Sequence, residues 1–266
     1  MDKNKFLWYT DTHFDRVAPW TLLKFVRYLR AQKPKGILLT GDISNGLLTG
    51  FHLKSLATLV DCPIYFTLGN HDYHFSSIEN QHDKIKQICK DYPNLIWLTH
   101  SDVINLQSEV GLIGAEGWYD ARLGDPKYLK ATIDWMLIKD FKSLSMEERI
   151  EKFRSLSQKS VVILKDKLEK ALEQDYKTIY LLTHFPPWEE ATRDTGTFME
   201  KFWLPYNINL ALGQMIEETM TPYKKRRVVV LTGHTHCPDY IRVSRNIDCQ
   251  VGYPGVSVKN SQIIYV

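Results

Sequence analysis

No run of this chain approaches the roughly 18 consecutive apolar residues of a bilayer span, and the N-terminal "MDKNKFLWYT" holds too short an apolar run for a signal peptide. A soluble, cytoplasmic protein with no membrane partner is the expectation. Cysteine is scarce: Cys62, Cys89, Cys237 and Cys249 lie far apart with no C-x-x-C, which argues for reduced thiols over a disulfide framework or a structural zinc knot. Neither sign of charge is in large excess, since 34 basic against 31 acidic residues leave +3. No broad field therefore favours nucleic acid or an anionic membrane, and an anionic ligand must be held locally. Repeats, low-complexity tracts and linkers are missing as well. With 44% hydrophobic residues, 266 positions are enough for one large core and read as a single domain, 1–266.

What is present is a series of short apolar runs rich in β-branched and aromatic residues: "KFLWYT", "GILLTGD", "PIYFTLGNHD", "LIWLTH", "VGLIGAEG", "TIYLLTH" and "RVVVLTGHTH". Each has strand length and stops at glycine or polar residues. Helical patterns separate the first of them. Pro19 suits a first turn before "WTLLKFVRYLRAQ", and "LLTGFHLKSLATLV" and "SSIENQHDKIKQICKDY" show apolar spacing suited to helices. An α/β sheet layered with helices follows. "VINL", "VGLIGAEG" and the C-terminal stretch lack intervening helices and predict hairpins, so the sheet pairing should be mixed. Residues 125–175 are polar and helical, with Ser145 and Glu148 spaced as a capping box, and read as a helical insertion or flank with a solvated charged face.

The strands end alike. "YTDTH", "LTGD", "LGNHD", "LTH" and "LTGHTH" each deliver metal-capable side chains at a carboxyl end, where an open α/β sheet places its ligand crevice. Extended alternation would let Asp11 converge with His13, and His234 with His236. Asp42 adds a carboxylate able to bridge two ions, Asn70 an amide oxygen and His184 an imidazole. Oxygen and imidazole donors without thiolate suit Mn, Fe, Zn, Co or Ni. Gly41, Gly69 and Gly233 would permit sharp turns beneath the cluster. Singly, each histidine has an ordinary use in a core and each aspartate in a cap. Five of the nine histidines, however, fall in these motifs: His13, His71, His184, His234 and His236.

The ordered set "DTH", "GD", "GNHD", "TH" and "GHTH", spread from residue 11 to residue 236, resembles the calcineurin-like metallophosphoesterase superfamily. The resemblance implies a two-layer sandwich of mixed sheets flanked by helices around a dinuclear centre of two divalent or trivalent ions. Matched position by position, Asp11, His13 and His236 resemble ligands of one ion, Asp42 the bridging carboxylate, and Asn70, His184 and His234 ligands of the second. His71 matches the histidine that is not a ligand, and "VGYPGVS" resembles the terminal strand and turn. No ligand position is missing. The implied activity is hydrolysis of a small phosphate ester, in which two ions about 3.5 to 4 Å apart bind the phosphoryl oxygens and supply a bridging hydroxide near neutral pH. His71, held by Asp72 or Asp42, would act as general acid toward the leaving group.

Charge tips the expectation toward a phosphodiester over a monoester: two divalent ions less two carboxylates and a hydroxide leave about +1, which a singly charged diester neutralises. A nuclease of the same superfamily would call for a basic groove, and the chain offers only "KKRR" at 224–227, placed as a solvated turn. A scaffold that had lost catalysis would show broken ligand positions. Tyr73, His74, Trp118, Tyr119, Arg122, Trp188 and Arg193 follow the motifs closely enough to line a pocket or to pack the loops. Cys237 should alternate away from His236, and Asp15 should brace its turn.

Overall fold

The computed structural model describes residues 4–125, 132–192, 204–258 and 261–266. Four parallel strands, β1 (Lys5–Tyr9), β2 (Gly36–Thr40), β3 (Ile64–Thr67) and β4 (Leu95–Trp97), form a first sheet, and β11 (Gln262–Tyr265) closes its edge antiparallel to β1. The second sheet has the order β5-β6-β7-β8-β10-β9, from β5 (Ile104–Gln107), β6 (Val110–Gly114), β7 (Thr178–Leu182), β8 (Arg227–Thr232), β9 (Asp239–Ser244) and β10 (Ile247–Val251). β5 and β6 form one antiparallel pair and β9 and β10 another, while β6, β7, β8 and β10 run parallel. The mixed pairing expected from the helix-free stretches is therefore present.

Alternation along the strands explains why two sheets stack. In β1, Leu7 and Tyr9 join the core beneath the helices, whereas Phe6 and Trp8 join a core between the sheets. In β8, Val228 and Val230 face the helices, whereas Val229 and Leu231 meet the first sheet. Strands apolar on both faces must be covered on both, and helices supply the outer layers. α1 (Pro19–Gln32), α2 (Thr49–Leu59) and α3 (Ile78–Asp91) are the crossovers of the first sheet. Pro19 stands in the first turn of α1, and the Ser77 side chain caps α3.

The segment 125–175 holds the short α4 (Asp134–Leu137) and the 28-residue α5 (Met146–Glu173), the crossover between β6 and β7. Ser145 and Glu148 form the complete capping box. Phe153 and Leu156 join the core of the first sheet and its helices, and Val161, Leu164, Leu168 and Leu172 join that of the second, so α5 leans on both. Its polar face is not wholly solvated. Lys167 is buried and donates to the carbonyls of Leu98, Thr99 (3.1 Å) and Gly114 (3.2 Å), tying α5 to the ends of β4 and β6. α6 (Leu210–Met220) packs beside it, and no helix among the described residues is long and apolar enough to cross a membrane.

Candidate metal centre

All the parallel strands point their carboxyl ends at one edge, and the polar motifs meet there across the seam between the sheets. Asp11, His13 and His236 form one group of potential ligand atoms, and Asp42, His184 and His234 another; His13, Asp42 and His71 link them, each trio lying within 4.8 Å. His236 Nε2 is 3.1 Å from Asp11 Oδ1, and His184 Nε2 is 3.4 Å from Asp42 Oδ1 and 3.2 Å from Asn70 Oδ1. Each of the seven residues expected as ligands is thus in the cluster.

The backbone reaches this arrangement differently from extended alternation. Asp11, His13, Asp42, His234 and His236 all have positive φ, between 40° and 68°, and make up half of the ten non-glycine residues in that region among the described residues. Such conformations are costly for side-chain-bearing residues and persist where the surroundings over-determine them. His234 and His236 consequently part company, one to each group. Gly41 (φ 85°) makes a left-handed turn, but Gly69 is needed for space: a Cβ there would stand 2.2 Å from Asp42 Oδ1. From the chain's far end, Gly255 N–H donates to the carbonyls of Thr10 (3.1 Å) and Asp11 (3.0 Å), pinning the "YPG" turn under the first motif.

The donor set fits metal ions. His184 Nδ1 donates to Thr40 O at 2.8 Å, which fixes Nε2 as the ring's lone-pair nitrogen, and His234 Nε2 donates to Tyr206 O at 3.0 Å, which leaves Nδ1. Asn70 Nδ2 donates to Asp134 Oδ1 at 2.9 Å, so its amide oxygen is the atom that faces His184. Both ring nitrogens of His13 are buried with no hydrogen-bond partner among the described residues, and a bound cation would satisfy the one that carries the lone pair. Burial would raise the Asp42 pKa, but the His184 and His71 imidazoles outweigh it and hold the carboxyl well below its usual range. Against its own burial, His184 is pushed up to about 9 by Asp42, while burial and the neighbouring His184 hold His234 down to about 4. A positive charge beside Asp42 is therefore favoured, and a cation would take the place of the His184 proton.

His71 lies at the mouth, its side chain 19% exposed, with Nε2 3.8 Å from Asp42 Oδ2. Arg16 Nη2 donates to His71 Nδ1 at 3.2 Å; an arginine cannot accept, so Nε2 carries the proton of the neutral ring. Asp72 stands elsewhere than expected. Its carboxylate is fully buried and accepts from the backbone N–H groups of Ile43 (3.2 Å), Ser44 (3.0 Å) and Gly69 (2.9 Å) and from Thr49 Oγ1 (2.9 Å), with no bond to His71 among the described residues. Burial and the nearby Asp42 push it up to about 7 against those donors. It knots the loop after β2 to the loop after β3.

The aromatic residues near the motifs also serve packing. Tyr73, Trp118 and Tyr119 are buried, Trp118 stacking on Phe185 with centroids 5.7 Å apart, and Trp188 donates to Glu217 at 2.7 Å. His74 donates to Asp134 Oδ1 at 2.8 Å, Arg122 pairs with Asp120, and Arg193 lies outside the described residues. Asp15 braces its turn through Ser44 and Asn45, and Arg226 and Arg227 of "KKRR" pair with Asp175 and Asp248. Sequence reasoning missed Asp134 and Arg16. Arg16 could have been suspected from its place three residues past "DTH" and beside Asp15, but "IDWML" offered no signal for Asp134.

Two stacked mixed sheets thus carry such a cluster at their common carboxyl edge. The calcineurin-like phosphoesterase family matches residues 5–238, and the chain belongs to it. Among solved structures, it is similar to phosphopantetheinyl hydrolase of Mycobacterium tuberculosis, with a TM-score of 0.70 at 13% identity over 98% of this chain and 96% of that one. A dimetal phosphatase of Danio rerio gives 0.58 at 14% identity over 96% and 88%. Both likenesses are of fold. An uncharacterized protein, L509, of Acanthamoeba polyphaga mimivirus is 23% identical over 57% of this chain, and the match spans 55% of that relative's length.

Proposed function

We propose that the protein hydrolyses a small phosphate ester on a two-ion centre, with Asp11, His13 and His236 holding one ion, Asn70, His184 and His234 the other, and Asp42 between them. The observation that carries this reading is the sharing of Asp42: it belongs to two of the three ligand groups, beside a His13 whose buried ring nitrogens have no hydrogen-bond partner among the described residues. When bound, a pair of ions supplies Lewis-acid polarisation of the phosphoryl group and a water made acidic enough to act near neutral pH. The identity of the ions is drawn from Mn, Fe, Zn, Ni and Co by donor type.

The chain's own groups do the rest. His71 keeps its proton on Nε2, on the side of Asp42, and is placed to hand it to a leaving alkoxide or to hydrogen-bond a phosphoryl oxygen. Arg16 fixes that tautomer, and its exposed guanidinium offers a charge-assisted contact to an incoming phosphate. Asp134 orients Asn70 and His74 together, and the His74 ring lies 4.3 Å from that of His71. Asp72 acts at one remove by holding the two loops that carry Asp42 and Asn70.

A phosphodiester is the preferred substrate because the net charge at the centre, about +1, matches a singly charged ester. The test is hydrolysis of paired chromogenic substrates, a diester and a monoester, by protein reconstituted with each metal in turn. Faster metal-dependent turnover of the diester is expected. A larger kcat/KM for the monoester would overturn the preference, and no turnover of either by protein loaded with two ions would overturn the enzymatic reading.

A further inference from the structure

The outer face of α1 differs from the rest of the surface. From Arg16 to Lys35 the chain carries six basic residues and no acidic one, so the remainder of this +3 chain is net negative. Averaging over the whole sequence hides that concentration. Trp20, Leu23, Lys24, Arg27 and Arg30 are all exposed and follow the helical repeat, which places them along one stripe. Trp20 is 65% and Leu23 57% exposed, at the N-terminal end, and the three cations follow. None of those cations enters an ion pair among the described residues.

The apolar end of the stripe lies at the same edge as the metal-ligand cluster. α1 begins three residues after Arg16, whose guanidinium touches His71. α2 begins alongside: the Phe14 ring lies 5.8 Å from Phe25 of α1 and 5.5 Å from His52 of α2, and His52 lies 5.3 Å from Phe51. Phe51, and Leu47 just before that helix, are each 62% exposed. Two neighbouring helix starts thus present Trp, Phe and Leu side chains to water beside a run of unpaired cations. Cations that meet headgroup phosphates, with a Trp at interfacial depth and aliphatic side chains below it, are the physical requirements for lying on an anionic bilayer.

We infer that the outer face of α1 and the start of α2 seat this protein on the surface of an anionic phospholipid bilayer, with the mouth of the metal-ligand cluster at the headgroup layer. The docking is peripheral and needs no spanning helix. Nucleic acid would match the cations but would leave Leu23 and Leu47 without an apolar layer to enter.

The test uses the full chain, co-sedimented at about 0.1 M salt with vesicles of phosphatidylcholine alone or mixed with phosphatidylglycerol. Binding to the anionic vesicles and not to the neutral ones is expected. The combined variant Lys24→Gln, Arg27→Gln, Arg30→Gln should lower partitioning by about 100-fold, each cation near the surface contributing roughly fivefold. Trp20→Ala should lower it by about tenfold. Hydrolysis of a soluble ester should stay unchanged in both variants, since none of these side chains belongs to the cluster. Vesicle binding is read without turnover, so failure of the phosphoesterase reading and failure of docking are separate results. No binding to anionic vesicles, equal binding to neutral ones, wild-type partitioning of the triple variant, or tighter binding to a single-stranded oligonucleotide would each overturn the inference.

Discussion

The two sheets equip the seam between them with different chemistry. Loops of the first sheet bring every oxygen donor, Asp11, Asp42 and Asn70, together with His13 and His71, whereas loops of the second bring only imidazoles, His184, His234 and His236. Their supports differ too. On the second sheet, ring N–H groups of His184 and His234 donate to backbone carbonyls, which aims the other nitrogen of each ring into the cluster. On the first, donors aim the oxygens: His71 N–H meets Asp42 Oδ1 at 2.9 Å, and His234 N–H crosses the seam to Asp11 Oδ2 at 3.0 Å. The negative charge that attracts a cation thus stands on one sheet and most of the imidazole nitrogen on the other. Neither sheet alone holds a complete donor set, so formation of the site is coupled to packing of the layers.

Four substitutions test this division between the sheets, the most damaging first. Asp42→Asn removes the carboxylate shared by two ligand groups, and metal content measured by mass spectrometry should fall at both positions, with turnover down by more than about 10³-fold. His236→Ala, by comparison, should cost the first position only, since it belongs to one group. His71→Ala should leave metal content intact and lower kcat by about 10² to 10⁴-fold. Retention of full activity would remove its proton-donor role. Asp134→Ala takes the acceptor from the Asn70 amide and His74, and should weaken metal affinity at the second position by about 10 to 100-fold while sparing the first; titration calorimetry with Mn reads both.

The smallest effect concerns Lys167, which joins carbonyls at the ends of both sheets. Lys167→Met should destabilise the fold by about 1–3 kcal/mol, because those carbonyls lose their donor. Burial lowers this lysine's pKa from 10.5 to about 8. Between those values the unfolded chain binds more protons than the folded one, so this group makes wild-type stability rise with pH through that window. Below about pH 8 both states are charged and its contribution is flat. Urea titrations of wild type and variant across that range should differ in slope by this amount alone.

Local chemistry made much of this legible. Pro19, and Ser145 with Glu148, mark helix starts through their own backbone constraints, and apolar strand runs ending in Asp, Asn and His announce a site at the sheet edge. What was not legible depends on contacts between distant parts of the chain. Asp134 is 64 residues from Asn70, and Lys167 is 68 from Thr99; each sits in a polar helical stretch where a buried charge has the same sequence signature as a solvated one. The left-handed backbone at Asp11, His13, Asp42, His234 and His236 escaped for a related reason, since tertiary packing and not residue type holds non-glycine residues there.

The proposed two-ion centre requires the sheets together and Asp42 between the ions. Metal stoichiometry of wild type and of Asp42→Asn, with hydrolysis of the paired esters read on the same samples, tests it most directly. Two ions per wild-type chain with metal-dependent turnover are expected, with loss of both properties in a variant that stays folded. Fewer than two ions in wild type under excess metal, or an Asp42→Asn variant that keeps both ions and its turnover, would contradict it.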